Sequence, residues 1–137
     1  IRGSIKALMA FAALPGLWET ERCRQLVDYF LRRRVFYRST QPDRVIRDEL
    51  TRTGFPFMWH GTLLEPLYAL SVMGYGQHPA LEDAWARLAA KRDAQGRYIN
   101  EWYHTSIPFV SGDKGQPNKW ITLYAALALK AREGASA

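Results

Sequence analysis

Three observations in the sequence predict an all-α protein built from helical hairpins. Apolar residues recur at three- and four-residue steps in five stretches. Proline and glycine stop those stretches rather than interrupt them. The stretches also resemble one another at an offset of about 58 residues, the mark of a helical repeat.

The stretch from Gly54 to Tyr75 organises the rest. A short aromatic loop, Phe55 to His60, leads into a helix expected over about 61–74, where Leu63, Leu67, Leu70 and Met73 form one apolar stripe. Pro66 is compatible with that helix because it lies near the first turn.

Upstream, residues 3–14 read as a helix with Ser4 as N-cap and Leu8, Phe11 and Leu14 at three-residue steps, stopped by Pro15-Gly16. A second helix begins near Thr20, with Cys23, Leu26, Val27, Phe30 and Leu31 on its apolar side. It runs into Arg32, Arg33, Arg34 and Arg38. The pair makes a first αα-hairpin over residues 3–36. Residues 38–54 are polar and irregular, with a short helical turn expected in R-V-I-R-D-E-L.

Downstream, Gly74 and Gly76 end the organising helix and Pro79 starts its partner. Leu81, Trp85, Leu88 and Ala89 face inward there, which gives a second hairpin over 61–93. A Gly- and aromatic-rich connector covers 94–118. A last helix, 119–133, carries Trp120, Leu123, Ala126, Leu127 and Lys130, with Asn118 as its N-cap.

A chain of 137 residues with 47% hydrophobic content has enough apolar surface for one domain with a core, and disorder is excluded. No apolar run approaches the roughly 20 residues that span a bilayer. The chain begins at Ile1 and shows no cleavable signal pattern, so a segment of a longer protein is expected. Cys23, the only cysteine, excludes an internal disulfide, suits a cytoplasmic location and reads as a small core residue. The net charge of +6 raises nucleic acid or an acidic surface as a partner. Yet the arginine run ends a helix, where cations offset the helix dipole, and nucleic acid is not the expected partner.

Leu8, Phe11 and Leu14 fall on Leu67, Leu70 and Met73 at one offset. Phe30, Leu31, Arg33 and Arg34 fall on Leu88, Ala89, Lys91 and Arg92 at nearly the same one. I-T-L-Y-A-A-L-A-L-K sits about two periods after I-K-A-L-M-A-F-A-A-L, so the chain reads as two hairpins and the first helix of a third. The segment A-L-E-D-A-W-A-R-L-A-A-K-R-D-A-Q-G-R-Y resembles the repeat of the squalene-cyclase and protein-prenyltransferase superfamily, in which a helix leads to a polar residue, a spacer, Gly and an aromatic. F-P-F-M-W-H-G-T-L-L-E-P-L-Y-A-L and G-Q-P-N-K-W-I-T-L-Y-A-A-L-A-L-K are similar to the C-terminal part of bacterial prenyltransferase-like and squalene-oxidase repeat proteins. The resemblance implies a partial α/α toroid, an array of antiparallel hairpins walling an apolar cavity. The sequence departs from that repeat where Arg92 or Asp93 replaces Gln and Tyr98 replaces Trp. It also lacks the D-x-D-D acid motif of the cyclases and the Asp, Cys and His zinc ligands of the prenyltransferases.

The candidate chemistry is sparse. His60 and Glu65 stand one turn apart and could form an acid–base pair. His78 lies in a surface turn, and His104 ends the aromatic run of Trp102 and Tyr103. No histidines have metal-site spacing on one helix face, so no metal and no cofactor are expected. The loop G-D-K-G-Q-P-N-K lacks the ending of a phosphate loop. Lys119, at a positive helix end, could hold an anion such as a diphosphate.

The leading reading is thus a toroid segment that binds an apolar, isoprenoid ligand. Trp59, Tyr68, Trp102, Tyr103 and Trp120 are the expected lining, with His104 and Lys119 at the polar edge. The unmatched terminal helices should pair with a second copy or with the rest of a longer chain. The other reading is a non-catalytic helical scaffold or nucleic-acid binder using Arg32 to Arg38 with Tyr37. Salt dependence separates the two.

Overall fold

The computed structural model describes residues 1–58, 60–101 and 112–134. Five α-helices appear in order: α1 (Arg2–Ala12), α2 (Glu21–Arg32), α3 (Leu64–Val72), α4 (Glu82–Ala89) and α5 (Lys119–Gly134). Among the described residues there is no strand, and β-type pairing is limited to isolated bridges such as Tyr37 with Val45 and Arg92 with Tyr98. The protein is all-α, as the periodicity predicts.

Helix α3 is the centre. It packs against α1 on one side and α5 on the other, while α2 lies on α1 and α4 on α3. Leu63, Leu64, Leu67 and Leu70 are fully buried, and Met73 is nearly so. Around them α1 contributes Ile5 and Leu8, α2 Cys23, Val27 and Phe30, α4 Ala84, Trp85 and Leu88, and α5 Ile121, Ala125 and Ala128. Pro66 is the third residue of α3, where its missing N–H is no loss.

The hairpin turns are built as the sequence implies. A 3-10 turn over Pro15–Leu17 joins α1 to α2, and Thr20 caps α2 by accepting from the Cys23 N–H at 3.4 Å. A second 3-10 turn, Pro79–Leu81, precedes α4. Its cap is the His78 ring, whose Nδ1 accepts from the Ala80 N–H at 3.1 Å while the residue stays exposed, the surface role read for it. The expected short turn before the aromatic loop spans Asp48–Thr51.

Two helix ends close alike. After α3 the Tyr75 N–H reaches the Leu70 carbonyl at 2.8 Å, with Gly74 in the left-handed region at φ 94°. After α2 the Val35 N–H reaches the Phe30 carbonyl at 2.8 Å, but the left-handed residues there are Arg34 (φ 44°) and Val35 (φ 76°). A β-branched residue in that region costs roughly 1–3 kcal/mol. Burial of Val35 and Phe36 offsets it.

Three expectations are corrected. Ser4 lies inside α1 and not at its N-cap, because the helix already starts at Arg2. Leu14 is 50% exposed: Pro15 forces the residue before it out of helical conformation, so α1 ends at Ala12. Ala89 is exposed at the end of α4. In α5 the buried side is Ile121, Ala125 and Ala128, and Trp120, Leu123 and Leu127 are exposed. That side lies roughly opposite Trp120, Leu123, Ala126, Leu127 and Lys130, all of which are exposed.

Candidate ligand-binding site

The connector after α4 fixes α5. Asp93 Oδ1 accepts from the N–H groups of Gln95 at 3.0 Å and Arg97 at 2.8 Å, and Gly96 takes φ 80°. This tight turn returns the chain so that the Tyr98 N–H donates to Thr122 Oγ1 at 3.0 Å and its carbonyl accepts from the Asn118 N–H at 2.9 Å. Asn118 in turn caps α5, its Oδ1 accepting from Trp120 N–H at 2.9 Å and Ile121 N–H at 3.1 Å.

With α5 so placed, an aromatic cluster spans the aromatic loop, α3 and α5. Phe55 stacks on Trp120 with centroids 5.5 Å apart and meets Phe57 edge-on, also at 5.5 Å. Phe57 meets Tyr124 edge-on at 4.8 Å, and Tyr124 meets Tyr68 of α3 at 5.4 Å. The Lys119 ammonium lies 5.5 Å from the Trp120 ring centroid. Of the expected lining, Tyr68 and Trp120 are thus joined in one cluster, with Lys119 at its edge. Trp59, Trp102, Tyr103 and His104 lie outside the described residues. Phe55, Phe57 and Tyr124 were not anticipated, although Tyr124 is four residues from Trp120 and shares its side of a helix.

His60 and Glu65 belong to a wider network than the expected pair. Glu65 is 1% exposed. Its Oε2 accepts from the Thr62 N–H at 3.0 Å and hydroxyl at 3.1 Å, and its Oε1 pairs with the Lys6 ammonium. Lys6 also donates to the His60 carbonyl at 3.4 Å. His60 Nδ1 stands 3.8 Å from Glu49 Oε2, and Glu49 is held by Arg2 at 2.7 Å. Burial pushes the Glu65 carboxyl above its ordinary range, against the opposing pull of Lys6 and Thr62. The void beside His60, lined by Glu49, Arg52, Gly61 and Thr62, measures about 10 Å³, room for no more than a water. The arrangement holds α1 to the start of α3.

Cys23 is 1% exposed, its thiol 3.9 Å from the Met73 sulfur. Burial, helped by Glu19, raises its pKa, so it is the inert core residue expected. Among the described residues no group of three or more His, Cys, Asp or Glu side chains is placed to hold a metal ion. None of the described helices is long and apolar enough to cross a membrane.

The arginine cluster is largely engaged within the fold. Arg32 pairs with Asp28, Arg33 lies over the Tyr29 ring at 4.4 Å and Arg34 over the Tyr37 ring at 4.0 Å. Arg38 donates to the Val45 carbonyl at 3.4 Å. Compared with family models, with curated proteins and with solved structures, the chain matches none.

Proposed function

We propose that this chain is a segment of a prenyltransferase- or terpene-cyclase-like α/α toroid whose aromatic side walls a cavity for an apolar, isoprenoid ligand. The observation that carries this reading is the cluster of Phe55, Phe57, Tyr68, Trp120 and Tyr124, which runs across two neighbouring helices and includes a 43% exposed tryptophan. Five aromatic rings in contact present π faces that suit a polyene better than a polar substrate. Lys119 at the edge supplies a cation for the head of a prenyl diphosphate. The exposed side of α5 fits a further helical repeat or a second copy. The reading assigns binding, not chemistry, to these residues, since Glu65 is held on both oxygens by Lys6 and Thr62.

Tryptophan fluorescence tests it by titration with farnesol and farnesyl diphosphate against a saturated alcohol of equal length. Farnesol should bind in preference to the saturated alcohol, with little dependence on salt. Phe55→Ala and Tyr124→Ala should each weaken it several-fold, while Lys119→Ala should weaken only the diphosphate. No binding by the folded protein up to the solubility limit of farnesol would sink the reading.

A further inference from the structure

Helix α2 carries a surface feature that the apolar-ligand reading does not use. Two adjoining grooves run along it, one of about 470 Å³ lined by Ser4, Arg22, Gln25, Leu26 and Tyr29. The other, of about 520 Å³, is lined by Gln25, Tyr29, Arg32, Arg33 and Ser39. They share Gln25 and Tyr29, so they form one trough. Three arginines line it and no carboxylate does. Arg32 is partly neutralised by Asp28, and the Gln25 amide donates to Glu21 at 2.9 Å. Arg22 and Arg33 have no carboxylate partner among the described residues.

The spacing of these cations selects the ligand. Arg22 and Arg33 are eleven positions apart, about 16 Å along the helix axis. A single phosphate needs cations that converge on it, whereas a strung row suits a chain that carries a charge at each step. Ser4, Ser39 and Gln25 add hydrogen-bonding groups along the same track. The guanidinium of Arg33 over the Tyr29 ring gives a cationic, aromatic surface within the trough, the pairing on which bases stack. The net charge of +6 favours encounter with any polyanion.

We propose that the α2 trough is a binding track for single-stranded nucleic acid, with Arg22 and Arg33 on successive stretches of the phosphate backbone. This site is independent of the aromatic cluster. It overlaps the arginine run that the sequence singles out only at Arg32 and Arg33, since Arg34 and Arg38 are engaged elsewhere in the fold and Arg22 lies outside the run.

The test is fluorescence anisotropy with labelled dT12 and U12 from 50 to 300 mM salt. Binding is expected at low salt. Arg22→Ala/Arg33→Ala should weaken it at least tenfold and reduce the slope of log K against log salt by about 1.4, two backbone contacts' worth. The charge-matched Lys114→Ala/Lys130→Ala control should leave most of the affinity in place. Tyr29→Ala should weaken the oligonucleotides and leave binding of inorganic polyphosphate unchanged. The proposal is overturned if neither oligonucleotide binds at 50 mM salt, or if the lysine control loses as much as the arginine variant. It is equally overturned if polyglutamate of the same length displaces U12 at equal charge concentration. Circular dichroism confirms that each variant keeps its helices.

Discussion

Glu65 is the residue where burial and charge most directly oppose each other. A carboxylate at 1% exposure loses its hydration, and among the described residues Lys6 and Thr62 stand in for it. Because burial raises its folded pKa above the unfolded one, folding takes up a proton there. The contribution of Glu65 is therefore fully present below the unfolded pKa and is lost as pH rises through the folded value. Urea denaturation from pH 4 to pH 8 should show the wild type losing ground to Glu65→Gln as pH rises. A wild type that instead gains on the variant would mean that Lys6 outweighs burial. On the same helix, Leu67→Ala should cost about 2–5 kcal/mol, because Leu67 is fully buried in α3, the helix that packs against both α1 and α5. A neutral result by the same denaturation would contradict its place in the core. The leucine stripe of α3 was legible because its spacing is local. Lys6 was not, because its partner lies 59 positions away. That separation equals the offset that carries Leu8 onto Leu67 in the sequence.

At the scale of the element, α5 shows what periodicity can and cannot give. Its existence, start and cap were all readable: Asn118 precedes a run with helical spacing, and its side chain does accept from the first turn. Asn118→Ala should lower stability by about 0.5–2 kcal/mol, measured by thermal or urea unfolding. Its rotation was not readable. The run I-T-L-Y-A-A-L-A-L-K is apolar nearly all round, so large side chains alone pick the wrong side. The structure buries the small residues Ala125 and Ala128 instead, which lets α5 approach α3 closely. Past the end of α3, Gly76 also lies close against α5. A Cβ on Gly76 would stand 2.8 Å from the Arg132 Cα and 3.1 Å from its Cβ. These atoms belong to the helix itself and cannot swing aside, so Gly76→Ala should force the turn after α3 away from α5 and cost about 1–3 kcal/mol. An alanine variant as stable as wild type would show that α5 shifts freely.

For the whole molecule the decisive feature is the side of α5 that the described residues leave partly exposed. Trp120, Leu123 and Leu127 fall at steps of three and four residues and are 43%, 46% and 39% exposed. Scattered exposed leucines are ordinary, but three large side chains on one stripe of one helix make a contiguous patch, and such patches mark contacts. Helix α3 has a helix on each side, α1 and α5, and the patch lies on the side of α5 away from its buried residues. Net charge works the other way, since two copies at +6 repel until salt screens them. Association should therefore be weak at low ionic strength and should strengthen, not fade, at moderate salt. Light scattering across a concentration series should show a mass that rises toward a dimer at high micromolar protein, more so in 0.3 M than in 0.03 M salt. Leu123→Lys/Leu127→Lys should hold the protein as a monomer with unchanged helicity, because both side chains already face solvent. A wild type that stays monomeric at both salt concentrations would show that this stripe does not drive self-pairing. A dimer that survives the double lysine variant would place the contact elsewhere on the surface.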